Sequence, residues 1–387
     1  MTLTSPPSDR SETVAAIWEA VQGVSAQWGR AYWRDCRATG RRPSEFMTGL
    51  ADAGLLGIGV PENMGGSGGG VTELVALAEA LGRTGVPLSG YVVVPFFCRV
   101  PVIKVGTPAQ VEAVVKPTLT GEPSVAFAFT EPDAGTNSFA MRTHAQKIDN
   151  GWRLDGQKTY ISGADEAPML MVAARTNSAG KRAELTLFVL PNDTPGISVT
   201  PQNITVNAPE KQCTVFFDGV EVPDSAVLGE PGRGAAYLFD GLNPERLVAA
   251  GGSIGLGDFV LQKGVEYASE RAPFGTPIGA YQSVAHPMAR AKVGLEAAKL
   301  FAYRGAEVFD SGGDAGQLSN MAKLMASESA WAATDSVIQA FGGAAFDVDN
   351  DILWLLETLR LTRVAPLNNE MILNSIGTHL LGLPRSY

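Results

Sequence analysis

The feature of the sequence that most constrains the fold is that the spacing of its apolar residues changes twice along the chain. In about the first 120 residues, apolar side chains recur every third or fourth position, as at Val14, Ile17 and Val21, which is typical of amphipathic helices. Near Gly121 short apolar runs of strand length begin, separated by Gly, Pro and Asp. From about Gly232 the helical spacing returns and continues to the end. The pattern predicts an α+β fold.

These changes of period place the expected domain boundaries. We expect an N-terminal helical domain over residues 1–121, a middle antiparallel β domain over 122–230, and a C-terminal domain resembling a four-helix bundle over 231–387. Within the middle block, Asn150 and Gly151 separate two strand-like runs. Asn-Gly is a strong signal for a two-residue hairpin turn, so the sequence predicts a β-hairpin there.

Composition and charge narrow the classes of function. The chain has 387 residues, is 45% hydrophobic and carries a formal net charge of −10. An acidic chain is a poor match for nucleic acid or for an anionic membrane. Its three cysteines form no CxxC pair and its three histidines have no metal-ligand neighbours, so we expect reduced thiols and no metal site. The polar N-terminus lacks the apolar core of a signal peptide, which predicts a cytoplasmic protein.

One segment matches a hydrolase motif by pattern but not by context. Residues Gly251–Gly255 read G-G-S-I-G, which fits the G-x-S-x-G nucleophile pattern. That motif requires a strand before the serine, whereas here the surrounding sequence is helical. We therefore interpret these small residues as a face that lets two helices pack closely.

Five segments resemble signatures of the acyl-CoA dehydrogenase family, in that family's order and over nearly the whole chain. They are FAFTEPDAGTNSFAMRTHA at 127–145, GWRLDGQKTYISGADEA at 151–167, FFDGVEVPDSAVLGEPGRG at 216–234, EYASERAPFGTPIGAYQ at 266–282 and QAFGGAAF at 339–346. The resemblance implies the helix–β–helix architecture predicted above. It also implies FAD-dependent dehydrogenation of an acyl thioester, with hydride passing from Cβ to flavin N5.

The resemblance assigns cofactor contacts to matching positions. Phe129 and Thr130 would lie beside the flavin pyrimidine, with Thr130 as a hydrogen-bond donor. Tyr160 would cover the flavin face, and Ser162 would reach toward N5. The resemblance further implies a homotetramer or homodimer with shared cofactor sites. The residues that would meet FAD from a neighbouring subunit are Arg271, Phe274, Gln339, Gly342 and Gly343.

The catalytic base is where the sequence departs from the family. Most members supply a glutamate from a C-terminal Y-E-G-T-S motif, but the matching stretch here reads LNNEMI at 367–372, which puts Asn369 at the base position. Glu370 is next along the chain, about 100° round a helix. The segment GLNPERLV resembles isovaleryl-CoA dehydrogenase, whose base would correspond to Glu245. We favour Glu245 over Glu370, and expect the backbone N–H of Asn369 to donate to the thioester oxygen.

The same resemblance suggests substrate contacts. Arg246 would orient the substrate or stabilise the ionised base, while Thr136 and Asn243 would contact the pantetheine or CoA end. We expect a short or branched acyl-CoA, with a carrier-protein thioester as the alternative. Phe96 and Phe97 could shorten the acyl pocket, although we favour a core position for both.

Partners follow from the family as well. The resemblance implies an electron-transfer flavoprotein as electron acceptor. Two alternatives stay open: altered flavin chemistry, such as a lyase or a reductase, and a subunit with lost chemistry that serves as a partner in a mixed oligomer. The departures at Asn369 and Met371 keep the second alternative open.

Overall fold

The computed structural model describes residues 12–86, 93–177, 184–205 and 210–385. Its elements follow the predicted order of helices, strands and helices. The first helices are α1 (Glu12–Ser25), α2 (Arg30–Thr39), α3 (Ser44–Asp52), α4 (Val71–Arg83), α5 (Val94–Val105), α6 (Pro108–Gln110) and α7 (Lys116–Thr118). The strands are β1 (Val125–Ala128), β2 (His144–Ile148), β3 (Gly151–Ser162), β4 (Met169–Arg175), β5 (Leu185–Pro191), β6 (Ile197–Pro201), β7 (Gln212–Val222) and β8 (Val227–Leu228). The later helices are α8 (Gly234–Glu270), α9 (Gln282–Asp310), α10 (Gly316–Phe341), α11 (Leu353–Leu361) and α12 (Asn369–Ser375).

The strands form one sheet in the order β6-β7-β3-β2-β4-β5-β8, with β1 paired to β4. Strands β2 and β3 pair antiparallel with Ile148 opposite Gly151, which confirms the hairpin predicted at Asn-Gly. Most strand pairs in this domain are antiparallel, as predicted, but two are parallel. Strand β1 runs parallel to β4, and β2 meets β4 parallel at His144 and Arg175. Parallel pairing arises because β1 reaches β4 through a long connection that contains the β2–β3 hairpin.

Helix α8 is 37 residues long, about 55 Å at 1.5 Å per residue. It packs against α4, α9 and α10. The G-x-S-x-G pattern lies inside α8 and forms its contact with α4, as predicted. A Cβ on Gly255 would lie 2.2 Å from the carbonyl oxygen of Glu79, and one on Gly251 would lie 2.7 Å from that of Val75. These two glycines therefore allow close approach of the helix backbones.

A buried ionic cluster joins the same helices. Glu79 is fully buried and accepts hydrogen bonds from Lys299 at 2.6 Å and from Tyr303 at 2.8 Å. Arg83 links Glu79 to Asp258 on α8. Because the buried Glu79 carboxylate has cationic and hydroxyl partners, the cost of its burial is offset. Within the described ranges, no helix combines the length and apolarity needed to cross a membrane.

Candidate active site

Glu245 lies on the face of α8 that turns toward α5. Gly241, one turn earlier, approaches the ring of Phe97 so closely that an added Cβ would lie 2.9 Å from it. Leu238 continues this face and is buried in the same apolar cluster as Phe97 and Cys98. The spacing of three and four residues brings Leu238, Gly241 and Glu245 to one side of the helix. Glu245 therefore emerges next to an apolar surface.

The carboxylate of Glu245 has few polar neighbours. Among the residues that the structure describes, none forms a hydrogen bond or ion pair with it. Burial raises the pKa of Glu245 to about 7, and the nearby charge of Arg246 only partly opposes this rise. The charge of Glu245, after burial itself, also raises the pKa of the Cys98 thiol. A carboxyl with a raised pKa and no fixed partner can take up a proton near neutral pH.

A run of aromatic rings connects this part of α8 with the end of β1. The ring centroids of Phe97 and Phe127 are 4.7 Å apart, and those of Phe127 and Phe129 are 5.3 Å apart with nearly parallel planes. Thr130 follows Phe129 directly. The rings thus lead from Phe97, which Gly241 of α8 approaches, to two positions where the sequence predicts flavin contacts. Phe96 and Phe97 are both buried, in agreement with the core position predicted for them.

The turn after β1 is fixed by a buried ion pair. The Lys158 ammonium donates to a carboxylate oxygen of Glu131 and to the carbonyl of Phe129, each at 2.9 Å. Burial lowers the pKa of Lys158 to about 8. Burial would raise the pKa of Glu131, but the Lys158 charge and backbone donors outweigh it and the pKa falls. The backbone N–H of Thr159 also donates to the carbonyl of Thr130 at 2.9 Å. Strand β3 therefore holds Phe129 and Thr130 in place.

Tyr160 is displayed by an irregularity in β3. The pairing of β3 with β7 shifts register between Lys158 and Ile161. Within this shift Tyr160 has φ +57° and its side chain is 61% exposed. A positive φ is unfavourable for an aromatic residue and is found mainly where function requires it. The Oε1 of Gln202 accepts the N–H of Tyr160 at 3.1 Å.

Ser162, two residues later, is partly buried and hydrogen-bonded to Gln212. The Nε2 of Gln212 lies 2.8 Å from Ser162 Oγ. The Ser162 hydroxyl in turn donates to the Oε1 of Gln212 at 3.1 Å, so the amide of Gln212 fixes the position of this hydroxyl. Phe129, Thr130, Tyr160 and Ser162 thus lie on two adjacent segments, joined by the hydrogen bond from Thr159 to Thr130.

A second group of predicted residues lies at or just beyond the C-terminal ends of α8 and α10. The rings of Tyr267 and Phe341 stack with centroids 4.0 Å apart and join these ends. Phe274, in the loop after α8, is 86% exposed. A Cβ on Gly342 or Gly343 would meet no protein atom within 4 Å. The other predicted members, also exposed, are Arg271 and Gln339.

Arg246 is held by amides instead of carboxylates. Its guanidinium donates to Leu242 O, to Asn243 Oδ1 and to Asn320 Oδ1 of α10. Burial lowers the pKa of Arg246. Asn243 thus contacts Arg246 directly in this structure, and both residues lie within one turn of Glu245.

The structure contradicts the expected role of the Asn369 backbone. Its N–H donates to the carbonyl of Arg363 at 3.1 Å, because the chain turns back just before α12. That N–H is therefore not free to bind a thioester oxygen. The Asn369 side chain is buried, and its Oδ1 accepts from Lys323 at 2.8 Å. Glu370, the alternative base, lies on the exposed side of α12.

Thr136 does lie next to this turn. Its hydroxyl accepts a hydrogen bond from Asn368 at 3.0 Å, which joins the loop after β1 to the start of α12. The sequence reasoning missed Asn320, Lys323 and Gln202. A signal for the first two was weak, since the buried face of α10 also carries other polar residues such as Ser327 and Thr334.

An open apolar groove of about 520 Å³ lies elsewhere, between the end of α8 and the start of α9. Leu261, Val265 and Met288 contribute to its walls, and none of the predicted site residues lines it. Its polar lining residues are Ser269 and Lys292, and the Lys292 ammonium is already paired with Asp258 and Glu296. We therefore take the region around Glu245 as the candidate active site.

Comparison with known proteins gives a consistent result. Family models of the acyl-CoA dehydrogenase N-terminal, middle and C-terminal domains match residues 11–122, 126–220 and 232–381. The acyl-CoA dehydrogenase FadE12 of Mycobacterium tuberculosis is 38% identical over 381 residues, covering 97% of this chain and 98% of that protein.

Solved structures are similar over the same length. The glutaryl-coenzyme A dehydrogenase complex with glutaryl-CoA has a TM-score of 0.91 at 26% identity, covering 98% of each chain. The FAD complex of PigA has a TM-score of 0.91 at 27% identity, covering 98% of this chain and 100% of that one. With three domain models matched in sequence order across most of its length, this chain belongs to the acyl-CoA dehydrogenase family.

Proposed function

We propose that this chain is an FAD-dependent acyl-CoA dehydrogenase in which Glu245 takes the α proton of a short or branched acyl thioester. The observation that supports this most directly is the Glu245 carboxylate, which has a raised pKa and no hydrogen-bond partner among the described residues. It lies one turn after Gly241, which approaches Phe97, and the rings of Phe97 and Phe127 lead from there to Phe129. A carboxylate with a raised pKa is a stronger base, which suits removal of the weakly acidic α proton of a thioester.

The residues present fit a flavin. Tyr160 offers an exposed aromatic face on a strained backbone, and Ser162, held by the Gln212 amide, places a hydroxyl on the same strand. In a neighbouring subunit, the open space above Gly342 and Gly343 would admit a phosphate close to the backbone. When bound, FAD supplies the acceptor for the hydride that leaves Cβ.

Side chains of the protein carry out the proton transfer. In its ionised form, Glu245 accepts the α proton of the thioester. The amide contacts of Arg246 with Asn243 and Asn320 keep its guanidinium near the base without a direct ion pair. That arrangement leaves Glu245 basic, because a bound guanidinium would lower its pKa strongly.

The substrate range is the finer part of the proposal. The resemblance of the base segment to isovaleryl-CoA dehydrogenase supports a short or branched chain. The half-buried rings of Phe127 and Phe129 would give the apolar wall against which it lies. A thioester on a carrier protein presents the same pantetheine and is the alternative. We also propose an electron-transfer flavoprotein as acceptor, and a homotetramer or homodimer completed through the exposed Phe274 loop.

Anaerobic titration of the purified protein tests the proposal. We expect yellow protein whose flavin absorbance is bleached by at least one member of a panel of short, branched and long acyl-CoA thioesters. Glu245→Gln should keep FAD and lose bleaching, whereas Glu370→Gln should keep both. Bleaching by Glu245→Gln at the wild-type rate, or its loss in Glu370→Gln alone, would show that the base is assigned wrongly. Colourless protein that gains FAD only with a co-expressed paralogue would favour the mixed oligomer.

A further inference from the structure

Helix α10 carries two buried polar residues one turn apart, Asn320 and Lys323. Asn320 is 4% exposed and Lys323 is 1% exposed. Residues three apart on a helix share one face, so both side chains leave α10 on the same side. We call them the α10 pair.

The α10 pair contacts two different parts of the candidate site. Asn320 accepts a hydrogen bond from Arg246, the neighbour of the proposed base on α8. The Lys323 ammonium donates to the carbonyl of Leu367 at 2.6 Å and to the Oδ1 of Asn369 at 2.8 Å. One side of α10 thus contacts the base-carrying turn and the turn that precedes α12.

Asn369 is built into this contact. It is 2% exposed, and besides Lys323 it exchanges hydrogen bonds with Ser327, at 3.2 Å to Oδ1 and 3.1 Å from Nδ2. Its backbone N–H is taken by Arg363. The Nδ2 of Asn369 also donates to a carboxylate oxygen of Glu328 at the longer distance of 3.5 Å. Position 369 therefore faces α10, and a carboxylate there would lie closest to the buried Lys323 ammonium, at 2.8 Å.

We propose that Asn320 and Lys323 are positioning residues that hold the Glu245 turn of α8 and the Leu367–Asn369 turn at a fixed separation, and that position 369 consequently cannot supply the base. This rests on the proposed function, in which Glu245 is the base. An ionised side chain at 369 would pair with Lys323, which keeps it deprotonated and turned away from the substrate. Burial also lowers the pKa of Lys323 to about 8, as expected where no carboxylate is in direct contact.

The first test restores a carboxylate. Glu245→Gln/Asn369→Glu and Glu245→Gln/Asn369→Asp are mixed anaerobically with the acyl-CoA that bleaches the wild-type flavin fastest. We expect both to stay at the level of Glu245→Gln. Recovery of about a tenth or more of the wild-type rate by either double variant would overturn the proposal, because position 369 would then act as a base.

The second test compares two buried lysines. Lys323→Met removes the contact to the Leu367–Asn369 turn, while Lys299→Met removes a buried lysine from the Glu79 cluster. We expect Lys323→Met to slow flavin reduction at saturating thioester by about tenfold or more, since small displacements of reacting groups are costly. Lys299→Met should stay within about twofold of wild type on the same reasoning. Thermal midpoint and FAD content are measured for both variants.

Equal loss of rate by the two lysine variants, or no loss by Lys323→Met, would overturn the positioning role. Failure of the proposed function gives a different result: Glu245→Gln alone would then reduce flavin like wild type. Calorimetric binding of the same acyl-CoA adds a readout that needs no turnover. There Lys323→Met should weaken binding several-fold and Lys299→Met should leave it unchanged, and the reverse order would also overturn the proposal.

Discussion

Replacing Glu245 by glutamine should make the folded protein more stable at alkaline pH, although it removes the proposed base. In the folded state burial raises the pKa of Glu245 from 4.5 to about 7. A tenfold change in proton affinity corresponds to about 1.4 kcal/mol, so keeping this carboxylate ionised above pH 7 costs about 3 kcal/mol. The side chain keeps some contact with solvent, and we therefore expect a net gain of about 2 kcal/mol for Glu245→Gln.

The sign of the pH dependence follows from linkage. The folded state binds the Glu245 proton more tightly than the unfolded state, so wild-type stability falls as pH rises from about 4.5 to about 7. Below this window the carboxyl is neutral in both states and glutamine should resemble it closely. The difference between variant and wild type should therefore be near zero at pH 4.5 and largest above pH 7.

Differential scanning calorimetry at several pH values measures this difference. At the average unfolding entropy per residue, about 2 kcal/mol corresponds to about 2–3 °C for 387 residues. Glu370→Gln is the matched control, because that carboxylate lies on the exposed side of α12. A constant offset between Glu245→Gln and wild type across the whole range, or a loss of stability above pH 7, would refute the reasoning. Wild-type flavin reduction should rise with pH through about 7 in the same window.

Three further predictions concern packing and strain. Gly255→Ala should lower the free energy of unfolding by about 3 kcal/mol, because its Cβ would overlap a backbone carbonyl of α4. Gly252→Ala has open space and should raise the free energy of unfolding by about 0.5–1 kcal/mol. Equal effects of the two variants in denaturant unfolding would contradict the close contact. Tyr160→Gly should raise the thermal midpoint of the FAD-free protein by relieving about 1 kcal/mol of strain and should weaken FAD retention; unchanged retention would argue against a flavin contact. Glu79→Gln should cost about 3–5 kcal/mol, since Lys299 would lose its buried counter-ion, and a neutral effect in denaturant unfolding would count against that pairing.

The sequence predicted the features that depend on local pattern. The change of period placed the helical and β blocks, and the Asn-Gly pair predicted the β2–β3 hairpin. It could not predict that β1 pairs parallel with β4, because strand order is decided by packing between distant segments. Likewise, helical periodicity shows that Lys323 lies on α10 but not that its ammonium ends at the Leu367 carbonyl.

The candidate site divides in the same way. Glu245 was found by resemblance, and its raised pKa agrees with the role of a base. The donor role of the Asn369 backbone was predicted from the family's motif and was wrong, because the carbonyl that takes this N–H belongs to Arg363, in a turn whose course the motif does not encode. Tyr160 was predicted as an aromatic contact, but only the register shift in β3 explains its exposure.

The length of α8 has a genetic consequence. The helix begins eleven residues before Glu245 and ends next to Arg271, so one rod spans about 40 Å between a proposed proton acceptor and a proposed phosphate contact of a neighbouring active site. In an oligomer whose subunits share active sites, a substitution at Gly251 or Gly255 in the middle of α8 would displace both ends of the helix. Such a variant would combine slow turnover with loss of FAD. Compensating substitutions would be expected on α4, because the glycines of α8 pack against that helix.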